Sequence, residues 1–229
     1  MTTPQSFTMK LNSKKQVLDL SKGTMGNNKK LAPKTVVQGC TYLVTLDSNI
    51  TYSDTNMPMH KAVIFNTTVN NPYGWMYVVD TQKPIDITMG SDKVYALIMD
   101  DYIQDNKGSA TLTFSPVSLT ASLKNGTVAF TPDDKGDGTI KKDHAIKFVN
   151  DNVGSHLAIS FKGPNPFNNI EKEYKFSIPA QGAVFKIAIN CGTFDLKHNK
   201  FDVDCLDDCL DDCLDDFTTL TSGEIIVTG

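Results

Sequence analysis

Residues 93–114, KVYALIMDDYIQDNKGSATLTF, decide how this chain can fold. The first eight residues place apolar side chains on both faces of an extended strand, and this pattern favours a strand near the middle of a β-sandwich. The last residues alternate threonine with Leu112 and Phe114, which predicts a return strand with one buried face. Between the two strands lies a short polar turn that ends at Gly108. The stretch therefore predicts a strand, a polar loop and a second strand.

The polar turn carries four closely spaced oxygen donors, and these are Asp100, Asp101, Asp105 and Asn106. Adjacent carboxylates repel each other unless water or a cation separates them. Calcium is the ion that fits such a loop, because it takes six to eight hard oxygen ligands from carboxylates, amides and main-chain carbonyls. An ordinary hairpin loop rich in Asp and Asn needs no ion. The loop by itself leaves both interpretations open.

Composition narrows the classes of partner. The chain has 229 residues, 40% of them hydrophobic and 21% charged, which indicates a globular protein with one large or two small domains. Every basic residue is lysine and the net charge is −4. Because arginine is the preferred residue for phosphate and guanine contacts, we expect no nucleic-acid partner and no anionic membrane surface.

Targeting signals are absent from the sequence as given. The first residues do not show a basic region followed by an apolar core, and no run is long enough to cross a bilayer. We therefore expect no membrane insertion and a cytoplasmic protein as synthesised. Release or export without a classical signal peptide stays open.

Short alternating or apolar segments recur along the whole chain, separated by Gly, Pro and Asn turns. This spacing predicts an all-β protein made of two β-sandwich domains, residues 1–116 and residues 117–229. The first is expected to be jelly-roll-like and the second immunoglobulin-like. Ser115 and Pro116 are expected to close the first domain, and a new strand is expected to open at Leu119. A faint repeat pairs residues 85–95 with residues 176–185.

Cys205, Cys209 and Cys213 each begin a Cys-Leu-Asp-Asp repeat. On a helix this spacing would align three thiols, which could hold a soft metal. The spacing matches no known zinc pattern, however, and the neighbouring carboxylates disfavour the thiolate form that metal binding requires. We therefore interpret the repeat as an exposed acidic excursion between two strands of the second domain. Catalytic motifs are missing, with no nucleophile elbow, phosphate loop or zinc helix, so we expect no enzyme.

Two segments of the first domain carry a resemblance to a known family. Residues 39–52, GCTYLVTLDSNITY, form a Gly-led strand that ends in Tyr52, and residues 101–108 form an Asp-rich loop that closes with Asp105, Asn106 and Gly108. Together they resemble the galactophilic, calcium-dependent PA-I-type bacterial lectins, which are small jelly-roll-like sandwiches. The loop here is shorter, Asp105 stands where the family has asparagine, and the family's sugar-contacting His and Gln have no clear match.

The resemblance implies a calcium site and a sugar site. The main-chain carbonyl of Tyr52 and the side chains of Asp101, Asp105 and Asn106 would bind calcium, and the glycan would ligate the ion through its hydroxyls. Trp75 could offer a flat apolar face to the sugar ring, as could Tyr73 or Tyr77, although packing in the core or in a turn is the alternative for these aromatic residues.

The resulting hypothesis is a non-enzymatic, calcium-dependent carbohydrate-binding protein. Because lectins bind weakly at each site and gain affinity through multivalency, a homo-oligomer is expected. The alternative is a self-assembling structural or intracellular inclusion protein whose sandwiches bind no ligand.

Overall fold

The computed structural model describes residues 3–26, 31–52, 56–66, 75–124, 127–132, 137–161, 163–169, 174–201 and 220–229. Strands account for 63% of the residues and this described part contains no α-helix, so the all-β class predicted from the sequence is confirmed. The chain divides into two compact units, Met1–Pro116 and Val117–Gly229. The Cys-Leu-Asp-Asp repeat and Tyr73 lie outside the described residues.

The first unit contains eleven strands and the first half of a twelfth. In chain order they are β1 (Phe7–Asn12), β2 (Val17–Asp19), β3 (Thr24–Met25), β4 (Lys34–Thr35), β5 (Thr41–Ser48), β6 (Thr51–Tyr52), β7 (Met57–Pro58), β8 (Lys61–Asn66), β9 (Trp75–Asp80), β10 (Ile85–Thr88), β11 (Lys93–Asp100) and β12 (Ser109–Lys124).

These strands form two sheets that pack around one core. In one sheet β12 lies between β1 and β5, and β10 pairs with the far side of β5. The other sheet has the order β3-β2-β11-β8-β9, with β4 paired to the start of β11. Val44, Leu112 and Phe114 of the first sheet share a buried cluster with Ile64 and Ile98 of the second. The unit is therefore sandwich-like.

The second unit begins in the last half of β12 and continues through eight more strands. They are β13 (Thr127–Thr131), β14 (Gly138–Lys141), β15 (Ala145–Asn150), β16 (His156–Phe161), β17 (Tyr174–Ile178), β18 (Ala183–Ile187), β19 (Gly192–Phe201) and β20 (Leu220–Thr228). One sheet has the order β13-β12-β15-β18, and the other has the order β14-β20-β19-β16-β17. Phe148 and Leu119 of one sheet pack with Ile159, Leu196 and Ile225 of the other.

The expected break after Pro116 does not occur, because β12 runs through it from Ser109 to Lys124. Pro116 is the last β12 residue that pairs with β5, and Val117 is the first that pairs with β15. Proline has no N–H to donate to a ladder. It therefore ends one pairing without ending the strand, at the position where the partner changes.

The two units repeat three antiparallel pairings, although the sequence repeat was aligned incorrectly. β5–β10, β8–β9 and β8–β11 in the first unit correspond to β15–β18, β16–β17 and β16–β19 in the second. The sequence similarity aligned β10 with β17, whereas pairing aligns β10 with β18. Alternating apolar residues occur in every strand of a sandwich, so they cannot identify which strand is which.

A buried asparagine fixes the turn between β10 and β11 in the first unit. Asn66 is the last residue of β8 and is almost fully buried. Its Oδ1 accepts from the main-chain N–H groups of Gly90 at 2.6 Å and Ser91 at 3.1 Å. Its Nδ2 donates to the carbonyl of Lys93 at 2.8 Å and to Ser91 Oγ at 3.0 Å. One side chain thus satisfies both strand-end donors and acceptors.

We predict that Asn66→Ala lowers the free energy of unfolding by about 2–4 kcal/mol, because several buried polar groups lose their partner. Asn66→Asp should be destabilising too, and more so at neutral than at acidic pH, since an ionised carboxylate would face the carbonyl of Lys93. Urea unfolding followed by circular dichroism measures both effects, with the exposed substitution Thr8→Ala as control. Equal stability of Asn66→Ala and the wild type would contradict this role.

Candidate functional site

The two segments that resemble the lectin family meet because the β5–β12 ladder continues beyond its last regular pair. Within the ladder Ser48 lies opposite Ala110. Past that pair, the N–H of Asn49 donates to the carbonyl of Ser109 at 3.1 Å. Thr51 and Lys107 then exchange two main-chain hydrogen bonds of 3.1 Å each.

The same register places the main chain of Tyr52 opposite that of Asn106. Antiparallel partners lie within about 5.5 Å of each other between Cα atoms. Two of the four predicted calcium ligands are therefore neighbours, although they are separated by more than fifty residues of sequence.

Gly108 is required where the two segments touch. Its φ is +85°, and a Cβ built on it would lie 2.4 Å from the main-chain oxygen of Asn49. Any other residue would therefore combine backbone strain with a clash against main chain. The glycine that closes the predicted loop motif has a structural reason to be there.

Asn106 is fully buried, with 0% of its surface exposed. Its Nδ2 donates to the main-chain oxygen of Ser13 at 3.2 Å. Its Oδ1 is buried and accepts no hydrogen bond within the described part of the chain. An unsatisfied buried acceptor costs about 1–3 kcal/mol, and in native proteins such an atom usually has a water or an ion as partner. The oxygen is thus a candidate ligand atom.

Asp100 presents a second oxygen of the same kind. Its Oδ1 accepts from the main-chain N–H of Asp101 at 2.8 Å, whereas its Oδ2 is buried and has no partner among the described residues. Sequence reasoning placed Asp100 in the loop but left it out of the ligand set. The adjacent carboxylate of Asp101 was the only signal, and a sequence does not tell which of two neighbouring aspartates points inward.

Asp101 and Asp105 lie in the same connection between β11 and β12. The side chain of Asp101 is exposed, and that of Asp105 is half-buried. Neither forms an ion pair with a described residue. Across the described ranges no group of three or more His, Cys, Asp or Glu side chains is placed to hold a metal ion. An ion at this loop would therefore depend on amide and main-chain oxygens as well as carboxylates.

The phenol of Tyr52 lies close to Asp100. Its hydroxyl reaches the main-chain oxygen of Met99 at 3.5 Å. Burial raises the pKa of Tyr52 to about 12, and the negative charge of Asp100 adds to the effect. The Tyr52 side chain therefore stays neutral at physiological pH and covers one side of the Asp100 carboxylate.

The aromatic platform predicted for a sugar ring is not assembled by the described side chains. Tyr77 packs against the core of the first unit, as the alternative interpretation had it. The main chain of Trp75 belongs to β9, and its side chain lies outside the described residues. His60, a possible sugar contact, places its Nδ1 3.3 Å from Thr81 Oγ1.

Comparison with known proteins does not assign the chain to a family. No family model matches it, and no curated protein does. In the part of the chain that the structure describes, no helix is long and apolar enough to cross a bilayer. What the fold and the loop define is an all-β, sandwich-like protein with an oxygen-lined connection between β11 and β12.

We predict that Gly108→Ala lowers the free energy of unfolding by about 2–4 kcal/mol, through positive φ and the clash with Asn49. Gly39→Ala is the matched control, because Gly39 has a φ of +82° but no atom within 4 Å of a built Cβ. The control should cost only the strain of the left-handed conformation, about 1–2 kcal/mol. Urea unfolding of both variants measures the difference, and equal losses would rule out the close approach.

The raised pKa of Tyr52 predicts a specific alkaline instability. An unfolded tyrosine ionises near pH 10, whereas folded Tyr52 ionises at about 12. The stability due to the neutral phenol is therefore fully present below about pH 10 and is lost as the pH rises towards 12. Over this interval the wild type should lose more stability than Tyr52→Phe. Urea unfolding at stepped pH measures this, and parallel pH profiles would contradict it.

Proposed function

We propose that the first unit is a calcium-dependent carbohydrate-binding module without catalytic activity. The observation that carries the proposal is the Oδ1 atom of Asn106, fully buried and without a protein partner, in a loop opposite the main chain of Tyr52. Asn106 and Tyr52 are two of the four ligands that the lectin resemblance implies. An oxygen acceptor in this position is costly unless a cation or a water occupies the space beside it.

The donors at this loop suit a hard cation. Asn106 offers an amide oxygen, Tyr52 a main-chain carbonyl, and Asp101 and Asp105 carboxylates. Asp100 Oδ2, also buried and without a partner, adds a further anionic oxygen. All are oxygens, with no thiol or imidazole among them, and this is the ligand chemistry of calcium rather than of zinc. Calcium also accepts irregular coordination, which a short connection between strands can provide.

The ion explains how such a loop recognises a sugar. Calcium has six to eight coordination positions, so a loop that fills five of them leaves room for two more oxygens. Two neighbouring hydroxyls of a pyranose ring can take these positions in place of water. The charge of the ion strengthens the hydrogen bonds that the same hydroxyls donate to Asp101 and Asp105. Discrimination between sugars then follows from the relative orientation of the two hydroxyls.

Calcium binding should stabilise the folded chain. At a calcium concentration about 100 times its dissociation constant, binding contributes about 2.7 kcal/mol, which raises the melting temperature by roughly 5–10 °C for a chain of this size. Magnesium should raise it much less, because it demands a regular octahedron and releases water reluctantly. Asn106→Leu, which keeps the volume and removes the oxygen, should abolish the shift. Asp86→Asn, an exposed substitution on β10, should retain it.

Glycan binding is tested on the same four proteins. The wild type and Asp86→Asn should bind a subset of an array of immobilised glycans in calcium and lose the signal in chelator. Asp101→Asn and Asn106→Leu should bind none. Glycan binding that survives chelation would contradict the ion bridge. A melting temperature that ignores calcium, together with an empty array, would overturn the proposal and favour a self-assembling protein without a ligand.

A further inference from the structure

The outward side of the β2-β11-β8-β9 sheet is apolar as well. The inward residues of β11, among them Val94 and Ile98, belong to the core. Alternation along each strand therefore turns their neighbours outward. Strand register aligns these outward residues in rows across the sheet. We call this surface the outer face, and it comprises Leu18, Val63, Phe65, Met76, Val78, Tyr95, Leu97 and Met99.

The outer face has no charge at its centre and remains accessible. Leu97 lies opposite Val63, which lies opposite Val78, and the next row is Tyr95, Phe65 and Met76. Met76 is 61% exposed, Val78 49% and Met99 43%. Four strands about 4.8 Å apart and about 20 Å long give an area of roughly 400 Å². Contiguous apolar patches of this size on a soluble chain are commonly functional.

The face carries both a protrusion and a matching recess. The two exposed methionines, Met76 and Met99, have long unbranched side chains that adapt to irregular surfaces. A cleft of about 570 Å³ opens on the same face, lined in part by Val63, Val78 and Met59. A two-fold interface uses one patch twice, so the patch must contain both the group that inserts and the space that receives it.

The charges around the outer face balance each other. Lys61 of β8 and Asp80 of β9 are paired across the strands at one end, and Lys93 stands at the other. A rim with both signs does not repel a copy of itself, and it does not attract a strongly charged partner such as a nucleic acid. An apolar centre inside a polar rim is also the arrangement found in protein interfaces, and homodimers have the most apolar ones.

From these observations we propose that a second copy of this chain docks on the outer face, sheet against sheet, to form a two-fold dimer. Sheets bury apolar faces in this way at a separation of about 10 Å. The central patch together with its rim approaches the roughly 800 Å² per partner of a standard interface. The proposal goes beyond carbohydrate binding and does not depend on it, because none of the suggested calcium ligands belongs to the outer face.

Sedimentation velocity of the full chain tests the dimer. Between about 1 and about 200 μM, the wild type should shift from the chain mass of 25.1 kDa to twice that value. The double variant Met76→Lys, Val78→Lys places two charges on exposed positions of the face and should remain monomeric throughout. Thr8→Lys, Asn12→Lys is the matched control, with two exposed positions on β1 of the opposite sheet, and it should dimerise like the wild type.

Each remaining result contradicts the dimer. A wild type that is monomeric at every concentration would overturn it, and so would dimerisation of the Met76→Lys, Val78→Lys variant. Thermal melting of both double variants verifies that they are folded; should the first one unfold, Val78→Thr replaces it and should weaken the dimer at least several-fold. The same runs in chelator should leave the mass unchanged, so that a failure of calcium binding is distinguishable from a failure of the interface.

Discussion

The register between β5 and β12 is the constraint on which the candidate site depends. One alignment holds from Tyr42 opposite Pro116 to Thr51 opposite Lys107, past the end of the regular sheet. Because side chains alternate between faces, a slip of one residue would turn Asn106 away from the interior. Gly108 permits the close approach that this continuation needs. Main-chain pairing therefore fixes the loop, and the loop carboxylates do not have to hold it together.

Much of the fold could be predicted because strand periodicity is a local property. Each of the segments around Phe7, Thr41, Ala62 and Lys93 shows its strand through side chains that alternate over a few residues. The continuity of β12 through Pro116 could not be predicted in this way. A proline reads as the end of a strand, and only the positions of β5 and β15 show that the strand changes partner there.

The site could be predicted only in outline. Oxygen-rich side chains in residues 100–106 are visible in the sequence, and the resemblance suggested that Tyr52 belongs with them. The burial of Asn106 and the orientation of Asp100 were not visible. Both depend on which residues approach from distant parts of the chain, such as Ser13, whose carbonyl accepts from Asn106 Nδ2. A sequence specifies the donors of a site more readily than the atoms left without partners.

The apolar residues on both sides of β11 connect the fold to the proposed assembly. Such a pattern predicts a strand buried on both faces, yet its own unit covers only the inward face. Leu97 is nevertheless 4% exposed, because its neighbours on the sheet surround it, whereas Met99 projects into solvent. A sequence that keeps Leu, Val and Met on an outward surface retains more apolar area than one unit can bury. A dimer would cover that area and would join two weak sugar sites in one particle, which is how low affinity at each site becomes useful avidity.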